Sequence, residues 1–200
     1  MRWKDTKKIL QRVWHFIWEE NSIWSWIVNI ILAFIIIKFI IYPGMGLAFG
    51  TQFPIVAVES GSMEHYGSFD EWWEKSQYSY AYFNITNEQF GKFILKNGFS
   101  KGDIIILRGA KPENIEKGDI IVFKSLRPHP IIHRVVNRWQ EGGSYYFQTK
   151  GDNYRTNPFS LQEEMRISSD RVVGKAVAKI PYLGYIKIWF TDFVSLIINR

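Results

Sequence analysis

The sequence predicts a mainly β, antiparallel domain behind an N-terminal transmembrane helix, with an inserted helical segment and a C-terminal interfacial helix. Three observations predict this. A nearly continuous apolar stretch, "IWSWIVNIILAFIIIKFIIY" (Ile23–Tyr42), follows a basic N-terminus. Short β-branched and aromatic runs, separated by Gly, Pro, Asn and Asp, fill residues 101–180. A second apolar and aromatic stretch closes the chain. The 200 residues suit one domain with an accessory segment, and 46% apolar content excludes a disordered chain. The absence of cysteine excludes structural disulfides and Cys-rich metal sites.

The organisation follows in order. Residues 1–20 are a basic segment and 21–42 the anchor. Residues 43–180 form the β-domain, with 64–100 inserted in it, and 181–200 are membrane-associated. The anchor suits a hydrocarbon core of about 30 Å. Asn29 and Lys38 are its polar interruptions, and Lys38 lies near the far end, where its ammonium can reach headgroups. Trp14, Trp18, Trp24 and Trp26 stand at the near end, as an aromatic belt would. Arg2, Lys4, Lys7, Lys8 and Arg12 precede the anchor, and after Lys38 no Lys or Arg occurs until Lys75. The positive-inside rule therefore puts the N-terminus in the cytoplasm and the β-domain outside. Five Lys and Arg crowd that arm just before an apolar run, a pattern of membrane topology that argues against a nucleic-acid module.

The strand candidates are 53–58, 103–107, 119–123, 131–136, 145–149 and 171–180. "KGDIII" (101–106) and "KGDIIV" (117–122) echo each other as a repeated turn-to-strand entry. In the insertion, "NEQFGKFILK" is helix-like. Trp72 and Trp73 either pack within it or lean on headgroups. The closing stretch 180–200 reads as an interfacial amphipathic helix, with a short second membrane segment as the alternative.

The stretch "VESGSM" (58–63) raises the question of chemistry. A serine hydroxyl is a weak nucleophile and needs a base. His15 is on the wrong side of the membrane, His65 is too close in sequence to Ser62 to aim back at it, and His129 sits in a proline-flanked loop. His133, in "PIIHRVV", shares a strand face with Ile131 and Val135 by period-2 alternation. That makes it either a satisfied core histidine or a site residue. Asp152, in "GDNYRTNP", stands in a turn at a strand end.

These segments, in this order, resemble type I signal peptidases of the archaeal and endoplasmic-reticulum kind. "SGSM" is similar to the family's nucleophile box, "PIIHRVV" to its I-V-H-R-V box, "QTKGDN" to its T-K-G-D-N box, and "DRVVGKAVAKIPYLG" to its closing segment. The resemblance implies a β-rich signal-peptidase-like protease core. It implies Ser62 as nucleophile and His133 as general base, with the Ser60 hydroxyl and the Ser62 backbone N–H as oxyanion donors. It implies no metal and no cofactor. The expected partners are preprotein signal peptides, the lipid bilayer and the protein-translocation machinery, with no nucleic acid. The sequence departs from the family where a second aspartate normally follows: Pro158 stands at that spacing, with Asn157 before it. The expected orienting group is Asp152, with Asn157 and Asp170 as alternatives. Two rival readings stay open. One is a serine–lysine protease using Lys124 or Lys175, and the other is a membrane-anchored β-domain without catalysis.

Overall fold

A computed structural model describes residues 3–126 and 128–198 of the chain. Arg2, part of the N-terminal charge reading, and the last two residues of the 181–200 segment lie outside the described residues. The chain divides into two units, Met1–Ala48 and Phe49–Arg200.

The first unit is helical. Helix α1 (Trp3–Trp18) is followed by α2 (Ile23–Ile36), which starts on Ser22: its side chain accepts the Ser25 N–H at 3.2 Å. The helix does not stop at Tyr42 as the apolar run suggests. It passes through a π-helical turn (Ile37–Ile41) into α3 (Tyr42–Phe49). The cause is Pro43, which has no N–H and whose ring crowds the carbonyl four residues back; a widened turn relieves both. The resulting helix, Ile23–Phe49, has 27 residues and contains an 18-residue stretch with a mean hydropathy of 2.3. Among the described residues it is the one helix long and apolar enough to cross a membrane. Asn29 is not an unpaired interruption. Its Nδ2 donates to the Ile17 carbonyl at 2.9 Å, and Ser25 Oγ donates to the Phe16 carbonyl at 2.6 Å. These two bonds tie α1 to α2.

The second unit is built on seven strands: β1 (Ile55–Ala57), β2 (Ile104–Arg108), β3 (Ile120–Phe123), β4 (Ile131–Glu141), β5 (Ser144–Lys150), β6 (Ile167–Ser168) and β7 (Val172–Ile180). They form one sheet in the order β1-β2-β7-β3-β4-β5-β6, with every neighbouring pair antiparallel. The two Lys-Gly-Asp entries are the same turn twice. Gly102 and Gly118 have φ of 89° and 98°, a region that favours glycine. Asp103 and Asp119 each accept a backbone N–H three residues back, from Ser100 and Glu116.

Period-2 alternation splits the core. Ile131 and Val135 of β4 pack with Ile121, Phe123, Phe147 and Ile167. Val58, Met63, Ile105, Leu107, Ile120 and Val122 make a second cluster with Phe99 and Ala176. The register of β4 against β5 slips between Val135 and Asn137, a bulge that carries Val136 into a third cluster.

That third cluster belongs to the insertion. Its main helix is α4 (Phe69–Ala81), set by a capping box in which Ser68 and Glu71 satisfy each other's backbone N–H. The expected helix at "NEQFGKFILK" shrinks to α5 (Asn87–Phe90), one turn ending at Gly91. Trp72, Tyr80 and Phe90 are fully buried and Trp73 nearly so, with Trp72 and Phe90 ring centroids 4.9 Å apart. The two tryptophans therefore pack inward and do not lean on headgroups.

Helix α6 (Tyr185–Ile198) closes the chain. Ile188 faces the protein, while Ile186, Trp189, Phe190, Phe193 and Leu196 are exposed. The exposed apolar residues lie along one side of the helix, with Lys187, Asp192 and Ser195 on the other, which is an amphipathic division.

Trp72→Ala should cost roughly 3–5 kcal/mol, a fall on the order of 10 °C in the thermal midpoint of the detergent-solubilised chain. Partition of the chain into bilayers should be unchanged. A lipid-binding defect without loss of stability would return Trp72 to the surface.

Candidate active site

A cavity of about 810 Å³ opens over β1, β3 and β4, and Ser60, Ser62, His133, Asn153, Asn157 and Lys187 are among its lining residues. Edge strand β1 delivers the Ser62 loop and interior strand β4 carries His133; β2, β7 and β3 lie between them, and the curl of the sheet brings both to the cavity.

The Ser62 loop is held by backbone contacts. Asn153 grips it twice: its N–H donates to the Ser62 carbonyl at 2.9 Å, and its Nδ2 to the Gly61 carbonyl at 2.7 Å. Gly151 lets the two loops approach, since a Cβ there would lie 2.7 Å from the Ser62 carbonyl oxygen. Phe99 N–H donates to the Met63 carbonyl from the other side. The Ser60 and Ser62 hydroxyls are 3.2 Å apart.

His133 is buried, with its Nδ1 in a short hydrogen bond to Glu164 Oε1. Glu164 is wholly buried and lies in the 3₁₀ turn Gln162–Glu164. Its carboxylate also accepts from Thr149 Oγ1 at 2.8 Å and from the Leu161 N–H at 2.8 Å. Thr149 stands opposite Val135 in the β4–β5 register, on the face of His133. An ionised carboxylate only accepts, so the contact suits Nδ1 as the donor, and in a neutral imidazole with that tautomer Nε2 keeps its lone pair.

Asp152 does not reach His133, and this corrects the sequence expectation. Its carboxylate faces the other side of β4, where Arg134 Nη2 donates at 2.6 Å and Arg134 Nε at 3.0 Å. Tyr80 Oη donates at 2.7 Å and His65 Nε2 lies 3.2 Å away. Burial alone would raise the Asp152 carboxyl, but the Arg134 charge and the His65 and Arg134 hydrogen bonds hold it well below the usual carboxylate range. His65 stacks on Trp72 with centroids 3.6 Å apart, and burial pushes its imidazole below the ordinary value. Every donor of Arg134 is used, because Nη1 bonds the Ile94 and Gly118 carbonyls and Nη2 also bonds Leu95. The physical reason for the miss is the strand period: residues 133 and 134 point to opposite faces, and Asp152 serves the second.

Of the two alternatives, Asn157 lines the cavity but its Oδ1 accepts from Thr156 Oγ1 at 2.9 Å. Asp170 is exposed in the 3₁₀ turn Ser169–Arg171. The lysines of the rival reading lie elsewhere. Lys175 pairs with Asp119 at 2.8 Å, and Lys124 is exposed beyond β3. Glu164 was missed because nothing in "LQEEM" separates it from Glu163. Leu161 has no side-chain acceptor, so the turn carries no capping-box signature, and the one hint was a neighbouring box that lacks its acid.

Lys150 pairs with Arg134 across β4 and β5, and both side chains are fully buried. Two like charges in register repel, and Asp152 serves as their shared counterion. Lys150 Nζ donates to the Gly151 carbonyl at 2.7 Å and stands 4.5 Å from the Tyr80 ring centroid. Burial pushes its ammonium down to about 8, against the pull of Asp152 and Glu164.

No protein-family model matches the chain. It is similar to the signal peptidase complex catalytic subunit SEC11 of Saccharomyces cerevisiae, in strains YJM789, RM11-1a and JAY291. In each, 28% of 158 residues are identical, covering 77% of this chain and 75% of the relative.

Asp152→Ala leaves the Arg134 guanidinium buried and unpaired, and should destabilise the chain by about 3–5 kcal/mol. Thermal unfolding in detergent measures this. Lys150 sets a pH dependence. Folded Lys150 releases its proton near pH 8 and an unfolded one near 10.5. In between the unfolded state holds the extra proton, so stability rises with pH. Burial raises the Tyr80 phenol well above 10.0, which reverses the trend above that pH. The thermal midpoint should therefore climb between pH 8 and pH 10, and Lys150→Met should flatten that climb.

Proposed function

We propose that the chain is a type I signal peptidase of the endoplasmic-reticulum and archaeal branch, which removes signal peptides from translocated preproteins with Ser62 as nucleophile, His133 as general base and Glu164 as the carboxylate that orients His133. The observation that carries this is the convergence of Ser62 and His133 on one cavity, with His133 Nδ1 held by a buried carboxylate.

The mechanism follows from that arrangement. His133 Nε2 takes the Ser62 proton as Oγ attacks the scissile carbonyl. Glu164 keeps the imidazole in the right tautomer and stabilises the imidazolium that forms. The developing oxyanion rests on the Ser62 N–H and the Ser60 hydroxyl. His133 then protonates the leaving amine, and water resolves the acyl-enzyme. An extended substrate segment pairs with the free side of edge strand β1, whose Val56 and Ala57 line the cavity together with the following Val58.

The helix Ile23–Phe49 anchors the enzyme in the cell membrane, with the N-terminus cytoplasmic and the catalytic domain on the extracytoplasmic face. There a signal peptide presents its cleavage site just beyond its apolar core. The bilayer and the protein-translocation machinery are the accompanying partners.

Cleavage of a model preprotein by the full chain in liposomes tests this. Ser62→Ala and His133→Ala should reduce turnover to background. Glu164→Gln should lower kcat on the order of 10³–10⁴-fold, as loss of the orienting carboxylate does in other serine proteases, with the fold intact. Asn153→Ala, which frees the Ser62 loop, should lower kcat more than it raises KM. Unimpaired cleavage by Ser62→Ala would sink the assignment.

A further inference from the structure

We infer that α1 is a membrane-surface helix whose basic side holds an anionic phospholipid headgroup in the wedge between α1 and α2. This rests on the membrane reading of Ile23–Phe49 and is independent of the catalytic assignment.

At 3.6 residues per turn, α1 separates into two sides. Leu10, Val13, Trp14, Ile17 and Trp18 fall on one, and Lys8, Gln11, Arg12 and His15 on the other. On the apolar side Leu10, Trp14 and Trp18 are 63%, 62% and 69% exposed, an arrangement that water does not favour on a helix two turns from a membrane span. Lys7 stands between Trp14 and Trp18 on the wheel, where a four-carbon stem can lie along apolar surface with its ammonium in the headgroups.

Charge selects the occupant. A cavity of about 810 Å³ within this unit is lined by Lys8, Arg12 and His15, with Val13, Ile17 and Val28 as apolar neighbours. Glu20 also lines it, and His15 lies 3.4 Å from Glu19, which leaves Lys8 and Arg12 as the cations for an anion. They are one helical turn apart, so both can reach a single phosphate. The apolar residues suit the acyl chains beside it. The geometry is fixed by the Ser25–Phe16 and Asn29–Ile17 bonds, which hold the end of α1 against the first turns of α2. A basic amphipathic helix continued into a membrane span fits a lipid surface with anionic headgroups better than a water-soluble partner.

The test uses the full chain. In detergent, native mass spectrometry follows retention of added phosphatidylglycerol and phosphatidylcholine. Phosphatidylglycerol should be retained preferentially, and the Lys8→Glu/Arg12→Glu double variant should lose that preference by roughly 30-fold. Millimolar inorganic phosphate should leave retention unchanged. In nanodiscs containing brominated lipid, the fluorescence difference between wild type and Trp14→Phe should be quenched. Equal retention of the two lipids, an unaffected double variant, or displacement by inorganic phosphate would each overturn the headgroup site. An unquenched Trp14 would overturn the surface placement and point to a protein partner on α1. Preprotein cleavage is not a readout, so loss of this proposal leaves the catalytic one standing.

Discussion

The buried pair of Arg134 and Asp152 is the contact on which the rest of the catalytic domain depends. Two charges removed from water are costly unless every donor and lone pair finds a partner. Here the guanidinium bonds three backbone carbonyls as well as the carboxylate. The carboxylate also takes Tyr80 and His65. Those partners come from the insertion, the turn before β3 and the loop after β5. One ion pair thus fastens three segments that share no sequence neighbourhood. Asp152 adds backbone links of its own, since its carbonyl accepts from Trp72 Nε1 and its N–H points at Met63 Sδ.

The pair also explains why adjacent residues of β4 do different work. His133 turns to the cavity and Arg134 to the insertion, because successive side chains of a strand point to opposite faces. The rigidity that Arg134 confers on 151–153 passes to the Ser62 loop through Asn153, which grips the carbonyls of Gly61 and Ser62. The insertion is accordingly a buttress for the Asp152 loop, and its aromatic residues are core.

Much of this was legible in the sequence. The β-branched runs and the two Lys-Gly-Asp entries marked the sheet, because a buried strand and a positive-φ turn each leave a residue signature. The apolar run marked the long helix but not its end, since a π-helical turn that accommodates Pro43 leaves no composition signal. Helix α4 was hidden under a polar mean, and the Ser68–Glu71 capping box was its clearest sign. Ser62 and His133 were singled out by the resemblance, since strand period alone left His133 as either a core histidine or a site residue. The acid was not, because the partner of an imidazole is decided by which strand face and which turn meet in space. "GDN" identified a loop but not the side of β4 on which its carboxylate lies.

The imidazole and its carboxylate are 31 residues apart in the chain, with the β4–β5 hairpin between them. During synthesis the imidazole therefore emerges before the carboxylate that holds it. Until the segment 161–164 has left the ribosome and closed onto Thr149, His133 lacks that partner. On the proposed assignment, Ser62 of a half-made chain beside other nascent proteins faces an imidazole that nothing yet orients.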